Sequence, residues 1–351
     1  MTHLFAVLGF LLLSSGLAAG QTFPHVHMLA TGGTISNRDA GRLTAEDLAK
    51  SMPGLDQQIR LTHEQFANVA SSQLTLDQWL RLARRVNELF ANDRALAGVV
   101  VTSGTDTLEE TAFFLHLTVK DVRPVVVVGS MRNPSTVGYE GAANLMDAVR
   151  VAAAPAARDK GALVVLNDEI NSARDVAKTD ALRLQTFDSG DYGQIGVADN
   201  DRIVFFRQIT QRHTSRSEFD LNGITELPRV DVILTYQGAP GDLINAAVDA
   251  GAKGVVLATA GAGATSGTQA DGLNYAAEKG VFIVTSTRTG SGRIAAPAAN
   301  RPPSDDPIAQ RRREFTVAAE DHAPLKARVL LMLALTKTRD RAEIQRIFTE
   351  Y

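Results

Sequence analysis

The 351-residue sequence contains no cysteine, and this absence excludes several kinds of chemistry. Without thiols the chain can form no disulfide bond, no cysteine nucleophile and no cysteine-based zinc site. The histidines do not follow a spacing typical of metal ligands either. We therefore expect them to be structural, and we predict neither a metal nor a cofactor. The seven histidines are His3, His25, His27, His63, His116, His213 and His322.

An excess of charge of one sign is also missing, since the formal net charge is −3. Nucleic acids and anionic membranes select strongly basic surfaces, so we expect neither as a partner. The sequence also contains no Gly-Lys dipeptide. The phosphate-binding loop of nucleotide-binding proteins requires that dipeptide, and a loop of that type is therefore excluded.

Long apolar runs are confined to residues 1–20, MTHLFAVLGFLLLSSGLAAG. This stretch is short for a transmembrane helix, and Ala18 and Gly20 suit a signal-peptidase cut before Gln21. We expect residues 1–20 to be a signal peptide, and the processed protein to lie in the bacterial periplasm or outside the cell without contacting a membrane. A short membrane anchor is the alternative that the sequence leaves open.

After the leader, short apolar runs alternate with segments of helical periodicity. The runs LAGVVVT and RPVVVVGS are continuously aliphatic, which is typical of parallel strands covered by helices on both faces. A polar, non-periodic stretch at residues 208–230 interrupts the pattern, and we interpret it as a linker. The sequence thus predicts an α/β protein in two parts. A larger N-terminal domain, residues 21–207, has a doubly wound, mostly parallel sheet, and residues 231–351 form a smaller C-terminal α/β domain.

Two of the predicted strands end in clusters of small polar residues. The motif LATGGTIS places Thr34 after two glycines, and VVVTSGTDT ends in the cluster Ser103–Thr107. Parallel sheets bind ligands beyond the carboxyl ends of their strands, where glycine turns free backbone N–H groups. Thr107 and Glu110 also match a helix capping box, but a cap accounts for only part of the cluster. We therefore expect a ligand site at these two strand ends.

A hydroxyl group in such a site needs a neighbour that accepts its proton before it can act as a nucleophile. The chain shows no Ser-His-Asp pattern, so a lysine, a carboxylate or water has to accept the proton. Lys178 lies in the polar segment NSARDVAKTDA. A lysine held beside a hydroxyl and a carboxylate can act as a base where water is scarce. From the residues alone, an ordinary surface position for Lys178 is the alternative.

Together these motifs resemble those of the bacterial L-asparaginase/glutaminase-asparaginase family. LATGGTIS is similar to the first family signature and VVVTSGTDTLEETAFFL to the second, and the similarity extends to IQRIFTEY. The leader resembles that of the exported members. The resemblance implies hydrolysis of L-asparagine to L-aspartate and ammonia through a threonine acyl-enzyme, with L-glutamine as a second candidate substrate. It also implies a homotetramer with sites between the larger domain of one chain and the smaller domain of another.

The resemblance further implies a role for each matching residue. Thr34 matches the nucleophile. Thr105 matches a second threonine, and Lys178 and Asp106 match the basic and acidic partners of that threonine. Ser71 matches the serine that binds the substrate α-carboxylate, and Asp106 also matches the anchor of the α-amino group. The predicted catalytic residues are Thr34, Thr105, Asp106 and Lys178, and the predicted substrate-binding residues are Ser71, Ser72 and Asp106.

The sequence departs from the family pattern at four places, one of which is TRTGSGRIAAP, where the usual intersubunit glutamate has no clear match. The segment Ser36–Leu48 contains no tyrosine, although exported members usually carry one in the lid that follows the first signature. Ser103 stands where the second signature has histidine, and Ala264 stands where many members have an asparagine that reaches a neighbouring subunit. We expect these changes to affect substrate selectivity and lid closure more than the class of reaction.

Two other functions are compatible with parts of the sequence. A non-catalytic periplasmic amino-acid-binding protein would also have two α/β domains, a linker and a leader. Such a receptor has no need of hydroxyls grouped near a lysine, however. The amidase subunit of a glutamyl-tRNA amidotransferase shares the signatures, but the leader and the absence of a basic surface count against it.

Overall fold

The computed structural model describes residues 23–298, 300 and 302–351. In chain order its strands are β1 (His25–Gly32), β2 (Asn37–Arg38), β3 (Gly41–Arg42), β4 (Arg60–Val69), β5 (Leu96–Thr102), β6 (Val125–Val128), β7 (Ala162–Leu166), β8 (Glu169–Ser172), β9 (Ala177–Lys178), β10 (Phe187–Asp188), β11 (Gly196–Ala198), β12 (Ile203–Phe205), β13 (Val230–Leu234), β14 (Gly254–Thr259), β15 (Phe282–Thr287) and β16 (Thr316–Ala318). Its helices are α1 (Ala45–Lys50), α2 (Leu76–Asn92), α3 (Leu108–Thr118), α4 (Gly141–Ala153), α5 (Asp242–Asp249), α6 (Gln269–Glu278), α7 (Pro307–Phe315), α8 (Pro324–Lys337) and α9 (Arg341–Glu350).

The signal peptide predicted for residues 1–20 lies outside the described residues. Among the helices that are described, none combines the length and the hydropathy that a bilayer crossing requires.

The larger sheet has eight strands in the order β12-β11-β8-β7-β6-β5-β1-β4. Strands β4, β1, β5, β6 and β7 are parallel, whereas β8, β11 and β12 extend one edge with antiparallel pairing. Along β5, Val99 and Val101 enter one hydrophobic cluster and Val100 enters another. The strand is continuously aliphatic because each face of the sheet is covered by a separate apolar layer.

The smaller sheet has four parallel strands in the order β13-β14-β15-β16. The predicted fold class is confirmed: a larger, mostly parallel α/β unit precedes a smaller α/β unit. Strand β12 ends at Phe205 and β13 begins at Val230. The exact domain limits at residues 207 and 231 stay a prediction.

Helix α3 connects the end of β5 to the rest of the core. Every residue of this helix is buried, because it packs against both the larger sheet and helix α8. Its first turn begins directly after the polar cluster Ser103–Thr107. The packing of α3 therefore fixes the position of that cluster.

Three buried histidines make the fold sensitive to acid. The rings of His116 and His213 lie 5.2 Å apart between centroids, and the His322 ring lies 5.9 Å from that of Phe113. Burial lowers the pKa of His213 to about 4 and that of His322 to about 3. Burial also holds the pKa of His116 well below its usual range. Each histidine therefore takes up a proton near pH 6.5 in the unfolded chain but only at a lower pH in the folded protein.

Above about pH 6.5 these histidines are neutral in both the folded and the unfolded chain. As the pH falls below that value, we expect the free energy of unfolding to decrease. The loss should reach about 1.4 kcal/mol per pH unit for each histidine, since protons bind preferentially to the unfolded chain. Urea unfolding across this range measures the slope. His116→Gln should make the slope shallower, whereas the control His63→Gln, at an exposed position, should not. Equal slopes for His116→Gln and the unmodified protein would contradict this explanation.

Candidate active site

The two strand ends that carry the polar clusters lie side by side. Strands β1 and β5 are parallel neighbours, and Ala30 pairs with Thr102 at their carboxyl ends. Thr31 Oγ1 donates a hydrogen bond to Thr102 O at 2.6 Å, which joins the two ends. Beyond this bond the chain turns into a single 3-10 turn at Thr34–Ser36. Both predicted clusters therefore leave the sheet at the same edge.

Gly33 makes the close contact between the two clusters. Its φ is +86°, and a methyl group added there would lie 2.1 Å from the backbone nitrogen of Gly104. Gly33 directly precedes Thr34, and Gly104 directly precedes Thr105. This contact brings the backbone before Thr34 against the backbone before Thr105, and only glycine allows it.

We expect Gly33→Ala to destabilise the protein more than an alanine at any open glycine position. A positive φ alone costs alanine about 1–2 kcal/mol, and the clash with Gly104 adds to this. The matched control is Gly54→Ala, because Gly54 has a φ of +76° and no atom within 4 Å of an added methyl group. Urea unfolding measures both variants. Equal losses of unfolding free energy would show that the contact is unimportant.

Lys178 reaches the same point from strand β9. Its Nζ donates to Thr105 Oγ1 at 3.0 Å and to Asp106 Oδ1 at 2.8 Å. The Lys178 side chain is 16% exposed and that of Asp106 is 72% exposed, so the amine lies inside the site and the carboxylate at its rim. An amine within hydrogen-bond distance of a hydroxyl can exchange a proton with it. The alternative of an ordinary surface lysine is therefore wrong.

Lys178 is held by residues that the sequence analysis missed. Glu109 Oε1 accepts a hydrogen bond from the Lys178 backbone N–H at 3.3 Å. Lys326 Nζ, on helix α8, donates to Glu109 O at 3.1 Å and to Ala173 O at 2.6 Å. Through these two hydrogen bonds, the buried Lys326 ammonium group links the first turn of α3 to the segment that precedes Lys178. Burial lowers the pKa of Lys326 to about 8, although the nearby Glu109 carboxylate favours its charged form.

Ser71 borders the site on a third side. It begins the 3-10 turn Ser71–Gln73 after β4, which is a parallel neighbour of β1. Its Oγ accepts a hydrogen bond from Thr107 N at 3.3 Å, and a methyl group on Gly104 would lie 2.9 Å from it. Ser71 is buried, whereas Ser72 is exposed. The structure thus brings Ser71 to the other predicted residues and leaves Ser72 beside it at the surface.

The predicted capping box at the start of α3 is wrong. Thr107 is the N-cap residue, but its side chain makes no cap hydrogen bond. Its Oγ1 is buried and has no hydrogen-bond partner in the part of the chain that the structure describes. Glu110 instead lies at the interface with α8, where its Oε2 accepts from Arg328 Nη1 at 3.2 Å. A charged partner outweighs a single backbone N–H, so tertiary packing overrides the local motif.

The assembled groups suit attack on a carbonyl carbon. The Thr105 hydroxyl and the Asp106 carboxylate meet at the Lys178 amine, next to a glycine turn whose backbone N–H groups can stabilise an oxyanion. Within the described ranges, no three His, Asp or Glu side chains lie close enough together to hold a metal ion.

Comparison with known proteins identifies the family. Residues 25–211 match the family described as Asparaginase, N-terminal, and residues 229–348 match the Glutaminase/Asparaginase C-terminal domain. L-asparaginase 2 of Bacillus subtilis is 43% identical over 96% of this chain and 89% of its own length. L-asparaginase 2 of Escherichia coli is 38% identical over 95% of each chain. The chain belongs to the asparaginase family.

A solved structure supports the same conclusion. The crystal structure of a probable cytoplasmic L-asparaginase from Campylobacter jejuni aligns with a TM-score of 0.83 and 37% identity, covering 94% of this chain and 100% of that one. The family resemblance is thus confirmed over nearly the whole chain. The individual roles of the site residues stay predictions; these residues are Thr34, Ser71, Ser72, Thr105, Asp106 and Lys178.

Proposed function

We propose that this protein is an L-asparaginase, an amidohydrolase that converts L-asparagine to L-aspartate and ammonia. The observation that carries this proposal is the 3.0 Å contact between Lys178 Nζ and Thr105 Oγ1, and the backbone contact between Gly33 and Gly104 supports the proposal. The relatives that span this chain carry enzyme names. The alternative of a non-catalytic amino-acid-binding protein is not supported.

The proposed reaction has two halves. Thr34 Oγ1 attacks the side-chain amide carbon, and its proton passes to the set formed by Thr105, Lys178 and Asp106. The C–N bond breaks, ammonia leaves with a proton from that set, and an aspartyl ester remains on Thr34. Water then attacks the ester carbon and gives a proton to the same set. The bond between that carbon and Thr34 Oγ1 breaks, the set returns a proton to Thr34 Oγ1, and L-aspartate leaves. Each backbone donor to the oxyanion contributes about 10²–10³ in rate.

Substrate recognition involves the charged ends of the amino acid. Ser71 binds the α-carboxylate, with Ser72 beside it, and the Asp106 carboxylate at the rim binds the α-amino group. L-glutamine carries the same two groups and one further methylene, so we propose it as a second, weaker substrate. The match to a Glutaminase/Asparaginase domain supports this extension. One misplaced methylene changes selectivity by about 10–200-fold.

The test is the release of ammonia and L-aspartate by the purified chain. We expect equal amounts of both products from L-asparagine, over many turnovers, and a kcat/KM for L-glutamine lower by about 10–200-fold. Binding of L-asparagine by a folded sample without release of ammonia would overturn the proposal.

We further propose that residues 1–20 direct export to the periplasm or the medium and that the mature chain forms a homotetramer. The apolar leader supports export.

Three apolar side chains at or beside β13, an edge strand of the smaller sheet, are 44–52% exposed; they are Leu234, Tyr236 and Leu243. Apolar groups at an open sheet edge favour association with another chain, which supports the homotetramer. Cell fractionation and light scattering test the two proposals. An uncut cytoplasmic chain would contradict the first, and an active monomer would contradict the second.

A further inference from the structure

The loop between β6 and α4 spans the two halves of the site. This β6–α4 loop, residues 129–140, begins at Gly129, where an added methyl group would lie 3.3 Å from Thr105 Cγ2. Near its other end, Tyr139 OH donates a hydrogen bond to Ile35 O at 2.8 Å. Ile35 is the residue that follows the predicted nucleophile. One loop therefore contacts both reactive segments.

The β6–α4 loop holds the Tyr139 hydroxyl in a fixed direction. Glu140 Oε1 accepts from Met131 N at 2.5 Å, which closes the loop on itself. The Tyr139 ring packs against a buried apolar cluster, and a methyl group on Gly141 would lie 2.4 Å from the ring. Burial and the neighbouring Glu140 raise the pKa of Tyr139 well above its usual range, so the hydroxyl stays protonated and donates.

We propose that Tyr139 is a positioning residue: its hydroxyl fixes the Ile35 carbonyl and thereby directs Thr34 toward the substrate amide. The inference rests on the proposed function, in which Thr34 makes the attack. Gly33, on the other side of Thr34, contributes no side chain that could restrain it. The restraint comes from a loop that is distant in sequence, since Tyr139 and Ile35 are 104 residues apart.

Tyr139→Phe tests this role because it removes one hydroxyl and keeps the ring. We expect kcat for L-asparagine to fall about 10- to 100-fold, since a small misplacement of a reacting group costs up to about 10². KM should change by less than about twofold, because the groups that bind the α-carboxylate and α-amino group are untouched. The pH dependence of kcat should keep its shape, because Tyr139 transfers no proton. The matched control is Tyr275→Phe in the smaller domain, whose hydroxyl donates to Asp249 at 2.7 Å, and it should leave kcat unchanged.

Hydrogen exchange measured by mass spectrometry reports the positioning independently of activity. Leu43 N donates to Ser36 O at 2.6 Å within the segment that Tyr139 restrains. Tyr139→Phe should speed exchange in peptides covering residues 34–43, and Tyr275→Phe should not. If the unmodified enzyme is active and Tyr139→Phe has a normal kcat, the role proposed for Tyr139 is overturned and the proposed function still stands. An inactive unmodified enzyme would overturn the proposed function. In that case faster exchange still supports the restraint, and unchanged exchange overturns it.

Discussion

Lys178→Met is expected to lower kcat for L-asparagine by about 10²–10⁴-fold, the usual contribution of a positioned acid–base group. Methionine preserves much of the side chain's length but has no amine, so the Thr105 hydroxyl loses its proton partner at 3.0 Å. The ion pair that disappears is to a carboxylate that is 72% exposed, and the free energy of unfolding should therefore change little. A continuous ammonia assay gives kcat, and urea unfolding checks stability.

Two further lysine variants separate proton transfer from charge and burial. Lys178→Arg keeps the positive charge, but a guanidinium group cannot give up its proton, so this variant should be nearly as inactive as Lys178→Met. Lys160 is a buried lysine whose Nζ donates to Gln208 Oε1 at 3.0 Å. Lys160→Met is the matched control and should retain normal kcat. Activity of Lys178→Met within about threefold of normal would remove Lys178 from the acid–base role.

Thr34→Ala should have the largest effect on activity of all single substitutions. Removal of the nucleophile of a hydrolase costs up to about 10⁶ in kcat, and we expect a loss of at least about 10⁴ here. The fold should remain intact, because Thr34 is only partly buried. Thr34→Ser keeps a hydroxyl and should retain measurable turnover. Single-turnover ammonia release quantifies both variants.

Thr105→Ala should also remove most activity, and it should do so as part of a unit with Lys178. Groups that act together show non-additive losses, so Thr105→Ala combined with Lys178→Met should be about as slow as Lys178→Met alone. Thr349→Ala is the control for a threonine hydroxyl elsewhere, since Thr349 Oγ1 donates to Gln345 O within α9 at 3.0 Å. Losses that multiply in the double variant would show that Thr105 and Lys178 act separately.

Near-normal turnover by Thr34→Ala would overturn the role of Thr34 as the nucleophile.

The parallel part of the fold could be predicted from the sequence because continuous aliphatic runs have few physical explanations. Strands β5 and β6 are buried on both faces, and only a sheet covered by helices on each side accommodates that composition. The antiparallel edge was not predictable in the same way. Strands β8, β11 and β12 have only three or four residues each, which is too short for a periodic signal.

The residues of the candidate site could be predicted where chemistry and strand ends coincide in the sequence. Their supports could not, because those contacts join distant parts of the chain. Tyr139 and Ile35 are 104 residues apart, and Lys326 and Glu109 are 217 residues apart. Local sequence patterns do not predict contacts between such distant residues. The predicted capping box failed for the same reason, since a distant arginine competed successfully for the glutamate.

The central claim is that a threonine hydroxyl at the paired strand ends takes up the aspartyl group as an ester. Hydroxylamine competes with water for such an ester and gives an aspartyl hydroxamate. The decisive measurement is the ratio of hydroxamate to L-aspartate formed from L-asparagine and from the β-methyl ester of L-aspartate, at one hydroxylamine concentration. A common ester on the enzyme predicts the same ratio from both substrates. A ratio that depends on the leaving group would contradict the claim.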